Sequence, residues 1–204
     1  MTPLIKICGL SDTAAVDAAI DAGADALGFV FADSVRRVSA RHAARIAAHV
    51  PAHIRKVAVM LHPAAAEWQE VRSIFQPDIL QTDIADFDHL EVPDGIGRWP
   101  VMREGLAPEG DAWPDVFVYE GGASGKGETV DWQLAARHAR CGKMVLAGGL
   151  DCSNVAEAIR EVAPFGVDVS SGVEAAPGKK DAAKIRIFIQ AVKAAGSADE
   201  EGEV

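Results

Sequence analysis

The sequence predicts an α/β protein, a single (β/α)8 barrel of the TIM type. Three observations carry that expectation. Eight short apolar runs recur along the chain, helix-like segments with capping residues lie between several of them, and the glycine-rich loops come late. Barrels that bind phosphate hold it on the loops after their last two strands.

The runs are Leu4 to Ile7, Ala26 to Phe31, Lys56 to Met60, Ile79 to Gln81, Val101 to Met102, Val116 to Tyr119, Met144 to Ala147 and Gly166 to Val169. Their spacing averages roughly 23 residues, enough for one strand, one loop and one helix. They are apolar at consecutive positions, as strands buried on both faces should be. Ser11-Asp12 precedes a helical pattern over Thr13 to Ala22 that stops at Gly23, and Ser39 precedes Ala40 to Ala48. Further helical patterns span Pro63 to Phe75, Trp132 to Ala139 and Ser153 to Val162. Asp181 precedes the last, Ala182 to Ala195, which Gly196 should end. A short fourth helix is expected around Ala85 to Leu90. Between the fifth and sixth runs, Gly105, Pro108, Gly110 and Pro114 leave little room for a crossover helix, so the fifth helix should be degenerate.

The chain has 204 residues, 49% of them apolar, which supports one core and one domain over residues 1–196. Residues 197–204 are acidic, have little to bury and are expected to be a disordered tail. The net charge of −10 argues against nucleic acid and anionic membranes as partners. No apolar stretch reaches membrane-spanning length, and the first residues lack an export signal, so a cytoplasmic location is expected. Cys8, Cys141 and Cys152 have neither disulfide nor metal spacing, and no metal site is expected.

Candidate chemistry lies at the run ends. Ala147-Gly148-Gly149-Leu150 and Asp168-Val169-Ser170-Ser171-Gly172-Val173-Glu174 follow the last two runs. Gly148, Gly149, Ser170, Ser171 and Gly172 are candidate phosphate-binding residues, because glycines let backbone N–H groups approach an anion and the serine hydroxyls add donors. A short helix N-terminus there would add field. The plainer reading is that these glycines only turn the chain. Gly122 to Gly127 superficially resembles a nucleotide-binding P-loop, but Glu128 stands where that motif needs lysine, and the segment reads as a mobile loop. An open doubly wound sheet would place a glycine-rich loop after the first run, where Cys8-Gly9-Leu10-Ser11-Asp12 stands instead. Cys8 and Glu120 fall at run ends and Arg36 and Arg37 in the loop after the second run, and each singly also fits an ordinary structural role.

Jointly, these segments closely resemble the phosphoribosylanthranilate isomerase family of tryptophan biosynthesis. The pattern comprises Lys6-Ile7-Cys8-Gly9, Gly28-Phe29-Val30-Phe31, Ser34-Val35-Arg36-Arg37-Val38-Ser39, Gly125-Lys126, Asp131-Trp132, Ala147-Gly148-Gly149-Leu150, Asn154-Val155, Val167 to Glu174 and Pro177 to Asp181. The resemblance runs from Lys6 to about Ala194. It implies a cofactor-free Amadori rearrangement of N-(5-phosphoribosyl)anthranilate, a small phosphorylated substrate. It makes Cys8 the general base and assigns the general acid to an aspartate ending the sixth strand, a position that here holds Glu120. It makes Arg36 the partner of the anthranilate carboxylate and brings Asp168 near the substrate, although Asp168 fits equally well as an anchor for the following loop. A second departure is Gln81-Thr82-Asp83-Ile84, where the family commonly has Gln-Leu-His-Gly, and Arg103 stands at the family's basic or polar position after the fifth strand. Lys6 is the local cation for Cys8, with its direction left open by strand alternation. Another phosphate-binding sugar isomerase or epimerase and a catalytically silent binding barrel remain the alternatives, and the chain is expected to be a monomer or weak homodimer.

Overall fold

The computed structural model describes residues 2–105, 113–121 and 130–198. Eight parallel strands close into a barrel in chain order: β1 (Leu4–Cys8), β2 (Ala26–Val30), β3 (Arg55–Val59), β4 (Ile79–Asp83), β5 (Gly97–Arg103), β6 (Val116–Glu120), β7 (Lys143–Leu146) and β8 (Gly166–Val169). Closure is made by β1 on β8, with Lys6 opposite Asp168 and Ile7 opposite Val169. Six α-helices cross between or follow the strands: α1 (Thr13–Ala22), α2 (Ala40–Ile46), α3 (Ala65–Phe75), α4 (Trp132–His138), α5 (Val155–Val162) and α6 (Ala182–Ala198). After β8 a small antiparallel hairpin forms from β9 (Glu174–Ala176) and β10 (Lys179–Lys180). No helix among the described residues is long and apolar enough to cross a membrane.

Two apolar layers account for the consecutive apolar positions. One residue of each alternating pair fills the barrel, where Ala26, Val57, Ile79, Trp99, Val101, Val118, Val145 and Ala147 form one cluster. The other faces the helices, so that Ile5, Ile7, Leu27, Phe29 and Val167 pack with Val16, Ile185, Phe188 and Ile189. Capping works as the sequence suggests: the Asp12 carboxylate accepts from the Ala15 N–H at 2.9 Å, and Gly23 ends α1 in the left-handed conformation. Ser39 caps α2, while Asp131 accepts from Gln133 and Leu134 at the start of α4.

Several expectations change. The fourth crossover is a single 3-10 segment, Ile84–Asp88, and β5 begins at Gly97, four residues before the apolar run that announces it. That extension pairs Gly97 with Ile79 and Arg98 with Leu80, positions whose neighbours and not their hydropathy make them strand. α3 begins at Ala65 and α2 ends at Ile46. Gly196 does not stop α6, which continues to Ala198, past the expected domain edge at 196. A Cβ there would lie 2.8 Å from the Thr2 Cα, so this glycine permits the helix to pass the N-terminal segment closely. Between β8 and α6 the described chain has the β9–β10 hairpin and no short helix. The degenerate fifth helix, the glycine-rich loop from Gly122 and the acidic tail beyond Ala198 fall largely or wholly outside the described residues.

Candidate active site

At the carboxyl ends of the strands the barrel opens into a pocket of about 240 Å³. Cys8, Arg36, Gln81, Asp83, Arg103, Glu120, Gly148, Gly149, Asp168, Ser170 and Ser171 all line it. Cys8 on β1 and Glu120 on β6, which stand far apart in sequence, therefore share one cavity.

Lys6 resolves the direction that alternation left open. It is fully buried, and its Nζ donates to Asp168 Oδ2 at 2.5 Å. Burial lowers the Lys6 pKa, but Asp168 and the neighbouring Cys8 more than offset this, so the ammonium is held above its usual range. For Cys8 the balance goes the other way. Burial pushes the thiol up, Lys6 and Lys180 pull it down, Asp168 pushes it up again, and the result is a raised pKa. Lys6 supports a thiolate only partially because it is shared with Asp168.

Arg36 comes from the loop after β2 and is gripped by Glu174, Nε to Oε1 at 2.7 Å and Nη2 to Oε2 at 2.9 Å. The fork leaves the Nη1 edge of the guanidinium for another anion. Lys180 donates to the same Glu174 at 2.8 Å and to the Ser170 carbonyl at 2.9 Å. Although burial opposes it, this double pairing holds the Glu174 carboxyl down at about 2. Burial lowers Lys180 by more than the shared Glu174 raises it.

On the opposite side, Arg103 at the end of β5 reaches Asp83 Oδ1 through Nη2 at 2.6 Å and Glu120 Oε1 through Nη1 at 2.5 Å. Burial lowers the Arg103 pKa, and the two carboxylates raise it by more. Asp83 also lies 3.4 Å from His62 Nε2. Two of the positions where the sequence departs from the family pattern, 83 and 120, thus meet on one guanidinium.

The glycines after β7 both have positive φ, 92° at Gly148 and 60° at Gly149, a conformation that glycine adopts without steric cost, and both line the pocket. Ser170 and Ser171 line the same end. Gly172 stands apart from the other candidates. It is not among the lining residues and instead bridges to Asp151, where a Cβ would lie 2.1 Å from the Leu150 carbonyl oxygen. Its position joins the two late loops.

Residues that sequence reasoning did not assign to the site are Glu174, Lys180 and Asp83. Glu174 and Lys180 sit inside the matched motif, but their partnership depends on the β9–β10 hairpin bringing them together. Among the described residues no cluster of three or more His, Cys, Asp or Glu side chains could hold a metal ion.

A closed eight-stranded barrel with a thiol, carboxylates and cations gathered at the carboxyl ends of its strands defines a (β/α)8-barrel enzyme. Comparison with known proteins narrows this class. The sequence profile described as N-(5'phosphoribosyl)anthranilate (PRA) isomerase matches residues 99–191. The N-(5'-phosphoribosyl)anthranilate isomerase of Streptococcus gordonii is 43% identical over 193 residues, covering 93% of this chain and 97% of that protein. The crystal structure of phosphoribosyl anthranilate isomerase from Thermotoga maritima superposes with a TM-score of 0.82 at 28% identity, covering 95% of this chain and 100% of that one. A phosphoribosyl anthranilate isomerase in complex with reduced 1-(o-carboxyphenylamino)-1-deoxyribulose 5-phosphate gives 0.79 at 31% identity, with the same coverage. The chain belongs to the N-(5'-phosphoribosyl)anthranilate isomerase family.

Proposed function

We propose that this protein converts N-(5-phosphoribosyl)anthranilate into 1-(2-carboxyphenylamino)-1-deoxyribulose 5-phosphate in tryptophan biosynthesis, using its own side chains as acid and base and no cofactor. Membership of the family supports the reaction. The observation that carries the residue assignment is that Cys8 and Glu120 line one pocket together with Gly148, Gly149, Ser170 and Ser171.

The phosphate of the substrate sits against those late loops, and the anthranilate carboxylate takes the open edge of Arg36. Glu120 gives a proton to the ribose ring oxygen. The C1′–O bond breaks as the amine lone pair forms the C1′=N bond, leaving a protonated Schiff base. Cys8, as thiolate, removes the C2′ proton, and the electrons of that bond neutralise the nitrogen to give an enolamine. Tautomerisation moves the enol proton to C1′ and leaves the ketone. Glu120 carries its proton on one oxygen while the other, Oε1, accepts from Arg103. Once that proton has left, the carboxylate rests against the guanidinium, an interaction that strengthens along the reaction. Lys6 supports the thiolate at the opposite wall. Asp168, with Oδ2 on Lys6 and Oδ1 unpartnered among the described residues, faces the sugar as an acceptor for a hydroxyl.

Freshly generated phosphoribosylanthranilate loses its anthranilate fluorescence on isomerisation, and this change measures turnover directly. The parent protein should turn over, while Glu120→Gln and Cys8→Ala should each lose about 10²–10⁴-fold. A folded parent without turnover would sink the isomerase reading. Activity retained by Glu120→Gln would assign the acid to another group.

A further inference from the structure

We propose that Arg103 is a positioning residue that holds the Glu120 carboxyl for proton transfer, and that Asp83 holds Arg103 in the orientation this requires. The inference rests on the reading of Glu120 as the acid.

The three residues end three adjacent strands. Arg103 and Glu120 are direct partners across the β5–β6 ladder, and Asp83 closes β4 opposite Val101, two residues before Arg103. Asp83 accepts from two nitrogens of the guanidinium, Nη2 at 2.6 Å and Nε at 3.4 Å, which fixes its plane. Nη1 is then directed at Glu120, 2.5 Å away. All three side chains are mostly buried, between 14% and 17% exposed, so the contacts are poorly competed by water.

The anchor is itself braced. Asp86 is 3% exposed and accepts from the Thr82 hydroxyl at 2.5 Å, from the His62 backbone N–H at 3.1 Å and from the His62 ring at 3.0 Å. The other ring nitrogen of His62 lies 3.4 Å from Asp83. A glutamate reaches the pocket through three rotatable bonds, and an unrestrained carboxyl would sample many positions. A catalytic acid misplaced by about 1 Å loses much of its advantage. A planar guanidinium whose donors diverge can grip two carboxylates at once, which an ammonium cannot do with the same directionality.

The test is steady-state kinetics on Arg103→Met, Arg103→Lys, Asp83→Asn and Glu120→Gln, with Arg103→Met repeated in the Glu120→Gln background. Arg103→Met should lower kcat by at least about 30-fold and change KM by less than about threefold, since only proton transfer is disturbed. Arg103→Lys should recover part of kcat, and Asp83→Asn should fall between the parent and Arg103→Met. In the Glu120→Gln background, Arg103→Met should cost less than about threefold more, because two residues acting through one carboxyl are not additive. A rise in KM with unchanged kcat, or full additivity with Glu120→Gln, overturns the proposal. Glu120→Gln impaired beside a fully active Arg103→Met overturns it while leaving the acid assignment standing. Glu120→Gln active as the parent overturns both. If Arg103→Met fails to fold by thermal melting, Asp83→Asn, which keeps shape, decides on the same kcat-against-KM criterion.

Discussion

Lys6 Nζ lies 2.5 Å from Asp168 Oδ2 inside the barrel, with side chains 0% and 7% exposed. The two are strand partners, separated by 162 residues in sequence and joined where β1 closes on β8. A pair so deeply buried is costly to break from one side, since the remaining charge keeps its desolvation penalty without its partner. Lys6→Met should therefore destabilise the fold by roughly 3–5 kcal/mol, read as a lower urea midpoint at unchanged m. A loss within experimental scatter would mean that Asp168 is satisfied elsewhere.

Cys8 is the second expectation. Its pKa is raised above the ordinary 9.0, chiefly by burial, so at neutral pH the free enzyme carries Cys8 mostly as thiol. A general base works only when deprotonated. With a Cys141→Ser, Cys152→Ser background, alkylation of Cys8 by iodoacetamide should be slow at pH 7.5 and still rising above pH 9. A plateau below pH 8 would show that Lys6 wins over burial.

Arg36→Ala should raise KM by about tenfold or more while kcat changes little, since binding of the substrate carboxylate is equal in ground and transition states. Steady-state fluorescence kinetics measures both. A fall in kcat at constant KM would move Arg36 from binding to chemistry.

Glu174 links the site to acid stability. Its pKa is depressed from 4.5 to about 2: burial opposes the shift, and Arg36 and Lys180 outweigh burial. A depressed carboxylate stabilises the fold above its unfolded pKa and loses that contribution as pH falls through its folded pKa. The window is thus from about 4.5 down to about 2, worth roughly 3 kcal/mol in all. Urea midpoints across this range should fall steeply for the parent and less steeply for Glu174→Gln.

Gly172→Ala should be disruptive although alanine is small. Its Cβ would sit 2.1 Å from the Leu150 carbonyl oxygen and 2.8 Å from the Asp151 Cβ, so the two late loops must separate. Overpacking of this kind costs roughly 1–3 kcal/mol. Because Gly149 and Ser171 flank the strained contact, KM should rise as well, which kinetics and thermal melting read separately.

The barrel itself was legible early. Runs such as Val116 to Tyr119 are apolar on successive positions because one side chain enters the barrel and the next meets a helix, and that pattern is visible without coordinates. Asp12 and Gly23 likewise announce α1, since capping is a local interaction between near neighbours. β5 was only half legible, because Gly97 and Arg98 are strand by virtue of their β4 partners. Gly196 was misread for a related reason. A helix stop and a close helix approach both call for glycine, and only the Thr2 segment beside it distinguishes them.

For the site, the sequence by itself determined which chemical groups stand at or just after the strand ends: a thiol at Cys8, a carboxyl at Glu120, a guanidinium at Arg36 in the loop after β2, and glycine and serine after β7 and β8. These follow from chain order, because every strand of a parallel barrel delivers its last residue to the same face. Only the tertiary structure decided how those groups are paired. Lys6 was drawn inward to Asp168, Glu174 was shared between Arg36 and Lys180, and Asp83 and Glu120 were brought to one Arg103. The energy of an ion pair depends on separation and burial, and neither is set by distance along the chain.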